Sequence, residues 1–316
     1  MKKIIIILII VVVFVIAVRG FYLFKAESIR HLDGSVLFSG SLTKWGKTVT
    51  AIGIYNFTSK KSIIFEEENV VFDAQITPDG ENVVYGKNGS NNIYIKNIKN
   101  GKTDVFLDSS SDDVSYSVPF WSKDGTKMIF LKGKLNETGS LYLKDTTTNN
   151  IQKVIDGEIK PQSVSLSPNG QKIAFKGYLD GNNKKEKGEH TLYIYDLETG
   201  KYTALMDARL VVSYGWSPNS DKLCYISQRD NQIHILDINN MRDRAVTRTK
   251  NMGWTCNFSP DGAKIIFDVV PSFGPLSATT PREIYIINTD GSGLERIYPE
   301  GNWNSVHSPL WFTTAD

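Results

Sequence analysis

The chain has 316 residues, 41% of them hydrophobic, 11% aromatic and 22% charged, with a formal net charge of +2, which is enough apolar material for a sizeable core and excludes a disordered chain. The first 25 residues carry Lys2, Lys3, Arg19 and Lys25 and no acid, so the rest is mildly acidic, with 32 basic against 34 acidic residues; that excludes a nucleic-acid partner, whose binders gather Lys and Arg on one face. Two cysteines, Cys224 and Cys256, exclude a disulfide framework and a four-cysteine zinc site.

Ile4 to Val18 is an unbroken apolar run, preceded by Lys2 and Lys3 and followed by Arg19, Phe21, Tyr22 and Phe24. Taken as one helix, Ile4 to Phe24 spans about 31 Å, close to the roughly 30 Å hydrocarbon core of a bilayer. Residues 1–25 are therefore expected to form a single-pass membrane anchor, with residues 26–32 as a short linker. The lysines before the run place the N-terminus in the cytoplasm and the body outside. The rival reading is a signal peptide cleaved near Ala26-Glu27-Ser28, which would release a secreted protein.

The body, residues 33–316, repeats. A turn tetrad recurs as Thr77-Pro78-Asp79-Gly80, Ser122-Lys123-Asp124-Gly125, Ser167-Pro168-Asn169-Gly170, Ser217-Pro218-Asn219-Ser220 and Ser259-Pro260-Asp261-Gly262, at spacings of 45, 45, 50 and 42 residues. Each follows a bulky apolar residue and precedes a β-rich stretch such as Val83-Val84-Tyr85 or Ile265-Ile266-Phe267. Proline pre-sets the turn and Asp-Gly supplies its tolerant corner, so each tetrad is a hairpin. A third strand ends in a capping Asn or Asp, as in Ile93-Tyr94-Ile95-Lys96-Asn97 and Leu192-Tyr193-Ile194-Tyr195-Asp196. A fourth strand closes each unit, for example Thr103 to Leu107 and Tyr202 to Met206.

Near the N-terminus Val36 to Ser39, Ile52 to Asn56 and Ser62 to Phe65 copy strands two, three and four with no first strand before them. Ser308-Pro309-Leu310-Trp311 copies a first strand, aligning with Val118-Pro119-Phe120-Trp121. The fold class expected is all-β, a six-bladed β-propeller of four-stranded blades at about 47 residues each, its last blade closed by N- and C-terminal strands. The tetrads and the Ile-Tyr-Ile-x-Asp pattern resemble the repeat of TolB-like β-propellers, also seen in propeller domains of the prolyl oligopeptidase family. That resemblance covers about 280 residues and implies a propeller. TolB-family proteins add an N-terminal α/β domain and a cleaved signal, and the oligopeptidases add a hydrolase domain; neither additional domain is expected here.

Catalytic signatures are missing. There is no GxSxG elbow, HExxH or CxxC, and His31, His190, His234 and His307 do not pair at ligand spacing. Gly40 to Thr48 mimics a phosphate loop with wrong spacing and is expected to be a hairpin tip at Gly46-Lys47-Thr48. Glu66-Glu67-Glu68 and Asp112-Asp113 are expected to be solvated loops. Cys224 and Cys256 read as buried thiols on neighbouring blades, with a bridge between them as the alternative. No catalytic residue, metal or cofactor is expected.

The connections from second to third strand are longest at Gly177 to His190 and Val269 to Arg282. In a propeller these emerge on the same face as the inter-blade loops, opposite the tetrads, and insertions on one face mark a binding face. Asp112, Asp113, Tyr116, Tyr214, Trp254, Phe273, Trp303 and His307 are the candidate ligand residues there. The expected function is a non-catalytic binding or scaffold module for a protein, peptide or cell-wall glycan. The alternative is a channel-site enzyme, such as a polysaccharide lyase or glycoside hydrolase, which requires His, Gln, Arg or carboxylates converging at the channel mouth.

Overall fold

The computed structural model describes residues 34–67, 70–109, 114–134, 139–155, 159–179, 191–248, 253–270, 281–297, 299 and 303–313. The anchor, linker and cleavage-site expectations lie outside these residues, and among the described residues no helix is long and apolar enough to cross a membrane.

Six antiparallel sheets are formed, one per expected blade. Blade 1 runs from Val70–Ile76 through Asn82–Lys87 and Ile93–Asn97 to Thr103–Leu107; blades 2 to 5 repeat the meander and begin at Val114, Ile159, Val211 and Gly253. Blade 6 is assembled from both ends of the chain, in the order Trp303–Phe312, Ser35–Lys44, Lys47–Asn56, Lys61–Glu67. Val36 pairs with Trp311 and Ser35 with Phe312, the closure that the terminal strand copies predict. Each blade keeps its own two edge strands, and closing the ring covers the apolar faces of the blades against one another.

The tetrads are built alike. Asn82, Lys127, Lys172, Lys222 and Lys264 each donate a backbone N–H to the hydroxyl of the leading Thr or Ser, at 2.8–3.0 Å. Gly80, Gly125, Gly170 and Gly262 occupy left-handed φ of 65–74°, which glycine adopts without steric cost. The tetrads also interlock between blades: the Lys123 N–H donates to the Pro168 carbonyl at 2.7 Å, and Asn169 N–H to the Ser220 hydroxyl at 3.0 Å. Third-strand ends cap as expected, Asp145 and Asp196 each accepting two backbone N–H bonds from the turn that follows.

Side chains of alternate strand residues fill the spaces between blades. Of the three tryptophans that recur at one place in the repeat, Trp216 and Trp311 are buried core residues and Trp121 is partly buried against the cluster of Val84, Ile93 and Val118. Cys224 and Cys256 are buried free thiols in one cluster between blades 4 and 5.

Two expectations are corrected. Glu66 is not in a solvated loop: it lies within the outer strand of blade 6, Lys61–Glu67, and binds Lys87 at 3.2 Å and Lys96 at 2.8 Å, riveting blade 6 to blade 1. These ammonium groups hold its carboxyl below the ordinary range, outweighing the burial that would raise it. The insert read from Gly177 also begins too early, because the second strand of blade 3 runs on to Leu179 and pairs Gly177 with Pro161.

Blade 6 stands taller than its neighbours. Its three inner strands have ten residues each, against six for the second strands of blades 1, 4 and 5, a difference of about 13 Å at roughly 3.3 Å per residue. The Lys44–Lys47 pair closes a two-residue turn at Trp45 and Gly46, with φ of 50° and 75°. This is the hairpin tip read from Gly46-Lys47-Thr48. It lies on the loop-rich face, and Trp45 is 89% exposed there.

Candidate rim and channel site

The inner strands wall a central channel. Counting two residues back from each tetrad, and to the matching place in blade 6, gives Gln75, Phe120, Ser165, Gly215, Asn257 and Leu310, one residue per blade. All six line a cavity of about 470 Å³, together with Ser163, Ser213 and Lys176. The ring is uncharged. Lys176 is the only ionisable side chain in that lining besides Tyr214; it donates to the Val211 and Val212 carbonyls at 2.6 and 2.7 Å, and burial pulls its pKa down. The Asn257 amide donates to the Pro309 carbonyl at 2.9 Å, tying blade 5 to the closing strand. Among the described residues, no group of three or more His, Cys, Asp or Glu is placed to hold a metal ion.

The described ligand candidates sit on inner strands rather than on inter-blade loops. Their strands begin earlier than alternation suggests, because bulges break the register between Val211 and Tyr214 and between Gly253 and Cys256. Tyr214 is half-buried and lines the channel cavity. Its hydroxyl is buried and donates to the Ser163 and Ala174 carbonyls, and burial drives its pKa far up, so it joins blade 4 to blade 3. Tyr116 is half-buried against Phe130, with the Lys132 ammonium 5.7 Å from its ring. Asp112, Asp113 and Phe273 lie outside the described residues.

Trp254, Trp303 and His307 are gathered at the junction of blades 5 and 6. In the second strand of blade 5, Lys264–Val269, the apolar run Ile265-Ile266-Phe267 is followed by Asp268, which is wholly buried. Its Oδ1 accepts from the Trp254 N–H at 3.2 Å, the Thr255 N–H at 2.7 Å and the Thr255 hydroxyl at 2.7 Å. Its Oδ2 faces Arg282 Nη1 at 3.4 Å. Burial raises the Asp268 pKa and these donors oppose the rise. The Arg282 guanidinium lies 4.8 Å from the Trp254 ring centre, a cation–π contact on an indole that is 46% exposed. The Arg282 backbone N–H donates to the Ser305 hydroxyl at 2.9 Å, binding this cluster to blade 6. His307 is buried beside Ser308, and burial together with the Arg282 charge lowers its pKa to about 4.

Trp303 has a different seat. Its indole packs edge-on against Phe38 at 4.8 Å and occupies the space over Gly40 and Gly53, where an added Cβ would come within 2.7 and 2.8 Å of the ring. The same indole forms one wall of a groove of about 600 Å³ bounded by Leu42, Lys44, Ile64, Glu66 and Lys96. Trp303 therefore closes the blade 5–6 junction, while Trp254 is presented to solvent.

Arg282 and Asp268 were not among the sequence candidates. An acid inside Ile265-Ile266-Phe267-Asp268-Val269 was the available signal.

No family model matches the chain. Over 202 residues it is 27% identical to an uncharacterized protein of Agrobacterium fabrum, covering 61% of this chain and 62% of that one. Over 162 residues it is 25% identical to the Tol-Pal system protein TolB of Francisella tularensis, covering 49% of this chain and 35% of that one. The solved TolB from Acinetobacter baumannii superposes with a TM-score of 0.65 and 18% identity, over 88% of this chain and 66% of that one. The chain is a TolB-like β-propeller protein. This TolB-like chain spans less than two thirds of the length of the curated relatives described. An oligogalacturonate lyase in complex with manganese shares its fold, with a TM-score of 0.54 and 12% identity over 84% of this chain and 86% of that one.

Proposed function

We propose that this TolB-like propeller is a non-catalytic binding or scaffold module outside the cytoplasm, held by an N-terminal membrane anchor at residues 1–25 and engaging a partner through its loop-rich face. The observation that carries this reading is the contrast between the two candidate sites. The channel ring is uncharged and offers two amides, one serine, a glycine and two apolar side chains. The loop-rich face offers two exposed indoles beside cations, Trp254 with Arg282 and Trp45 with Lys44 4.9 Å from its ring, the residue types that dominate binding energy at interfaces. Similarity to proteins named TolB of a Tol-Pal system supports a protein partner for this face.

The fold shared with an oligogalacturonate lyase favours the second reading, a channel enzyme acting on a polysaccharide. It demands convergent acid–base groups, for which the described channel lining supplies Lys176 and the buried Tyr214 hydroxyl.

The test is photo-cross-linking from the loop-rich face in intact cells, with a photoreactive residue at Lys47 or Thr48, both exposed, and controls at Lys99 and Lys201 on the tetrad face. The reading requires a discrete adduct from the loop-rich positions that is lost on replacing Trp45 and Trp254. Equal labelling from both faces, or an adduct indifferent to those indoles, overturns it.

A further inference from the structure

The Arg282–Trp254 pair is more elaborately held than packing requires. Asp268 spends its first oxygen on three donors that fix the backbone of Trp254 and Thr255, so the indole is presented from a rigid strand end rather than a loop. Its second oxygen meets Arg282 at 3.4 Å, longer than an ordinary charge-assisted bond. The guanidinium is thus oriented without being saturated: among the described residues no other side-chain acceptor engages it, and its side chain remains 30% exposed. An indole 46% exposed, with a planar, partly free cation lying over one of its faces, is presented on the rim.

We propose that Trp254 and Arg282 form a binding site for a carboxylate-bearing sugar ring. The apolar C–H face of a pyranose lies on the exposed part of the indole, and the ring carboxylate takes the free N–H groups of the Arg282 fork. Arg282 suits this role because its guanidinium presents several N–H groups in one plane and matches a carboxylate bidentately. A peptide C-terminus fits less well. Its carboxylate would find the same fork, yet neither described cavity, the channel or the Trp303 groove, includes Trp254 or Arg282 to house a terminal side chain, whereas a flat ring needs only the exposed indole. Asp268 acts as a positioning residue. This inference deepens the proposed binding face and rests on that reading, giving it a ligand of stated chemistry.

The experiment uses the full-length chain in neutral detergent and three probes, measured by calorimetry: a trimer of galacturonic acid, its methyl ester, and trialanine with a free C-terminal carboxylate. Saturable binding of the acid trimer is expected, weakened at least about tenfold by esterification, because a hydrogen bond to a charged group is worth about one to two decades of affinity. Arg282→Gln and Trp254→Ala each reduce affinity by about tenfold or more with unchanged circular dichroism. Should Arg282→Gln fail to fold with Asp268 left unpaired, Arg282→Lys and Trp254→Ala carry the same comparison. Equal affinity for acid and ester, absence of acid-trimer binding, tighter binding of trialanine, or folded variants that bind like the parent each overturn the inference. Cross-linking of a protein partner that survives such a result leaves the binding-module reading standing and removes only the sugar.

Discussion

Val36 and Trp311 are strand partners across the seam that closes the disc, and Trp311 also packs its indole 4.5 Å from Phe57. No covalent connection crosses the seam between these two strands, so strand pairing and side-chain packing alone join them. Trp311→Ala is expected to cost about 3–5 kcal/mol of unfolding free energy, as for other large aromatic truncations in cores. Urea titration followed by circular dichroism checks this, and a loss under 1 kcal/mol would mean that blade 6 does not depend on the pair.

Gly40 and Gly53 leave room for the Trp303 indole. In Gly53→Ala the new methyl would fall 2.3 Å from the Phe38 ring and 2.8 Å from Trp303, overfilling the junction by about 1–3 kcal/mol. A lowered melting temperature with a red-shifted tryptophan emission is the expected signature. The same substitution at exposed Gly89, where nothing lies within 4 Å, would not expel an indole.

Burial of neutral His307 makes stability depend on pH. Its pKa falls from 6.5 to about 4 on folding, so between those values the unfolded chain binds a proton that the folded chain does not, and stability rises with pH across that window. The contribution is complete above pH 6.5 and is lost as pH falls towards 4, roughly 3 kcal/mol in all. His307→Gln is expected to flatten this part of a stability-versus-pH curve measured by denaturant unfolding. Identical slopes for parent and variant between pH 4.5 and 6.5 would refute the assignment.

Glu66 joins two lysines of the next blade, and Lys96 also donates to the Phe65 carbonyl at 2.9 Å. Glu66→Gln strands both cations in a half-buried site and is expected to destabilise by about 1–3 kcal/mol. A double-mutant cycle with Lys96→Met gives the coupling directly. A coupling of zero would show the triad to be as weak as an exposed pair.

Trp45 opposes stability and function in one residue. A bulky side chain at φ 50° sits where Asn is preferred, and its near-complete exposure brings no compensating burial. Trp45→Asn is expected to leave the melting temperature unchanged or raise it, by up to about 1 kcal/mol of stability, while weakening partner cross-linking from Lys47. Loss of stability in that variant would indicate that the indole serves the fold instead.

The architecture was legible because each blade states its turn in four letters. Ser-Pro-Asp-Gly fixes a hairpin locally, and five spaced copies give the period before any long-range contact is known. Even the seam could be read, since Leu310-Trp311 repeats Phe120-Trp121 and Val36 to Ser39 lacks a strand in front of it. The binding face was less legible. Tyr214 looks like a loop aromatic, but a bulge after Val211 turns it into the wall of blade 3, and alternation carries no mark of a bulge. The seat of Trp303 is made by missing side chains at Gly40 and Gly53, residues distant in sequence from the indole they accept. Arg282 gains meaning only from Asp268, which reaches it by the fold rather than by sequence neighbourhood.

Because the inner strand of blade 6 comes from Trp303–Phe312 while its neighbour begins at Ser35, synthesis from one end to the other cannot complete the disc until nearly all of the body has emerged. Until then Ser35–Lys44 is an edge without its partner strand, and the face of blade 5 that carries Ile266, Ile284 and Ile286 lacks the closing strand that packs on it, both open to other chains. Contacts of such long sequence separation also form slowly. A protein assembled this way needs both surfaces shielded through late translation, and its yield on expression will track the supply of factors that cover them.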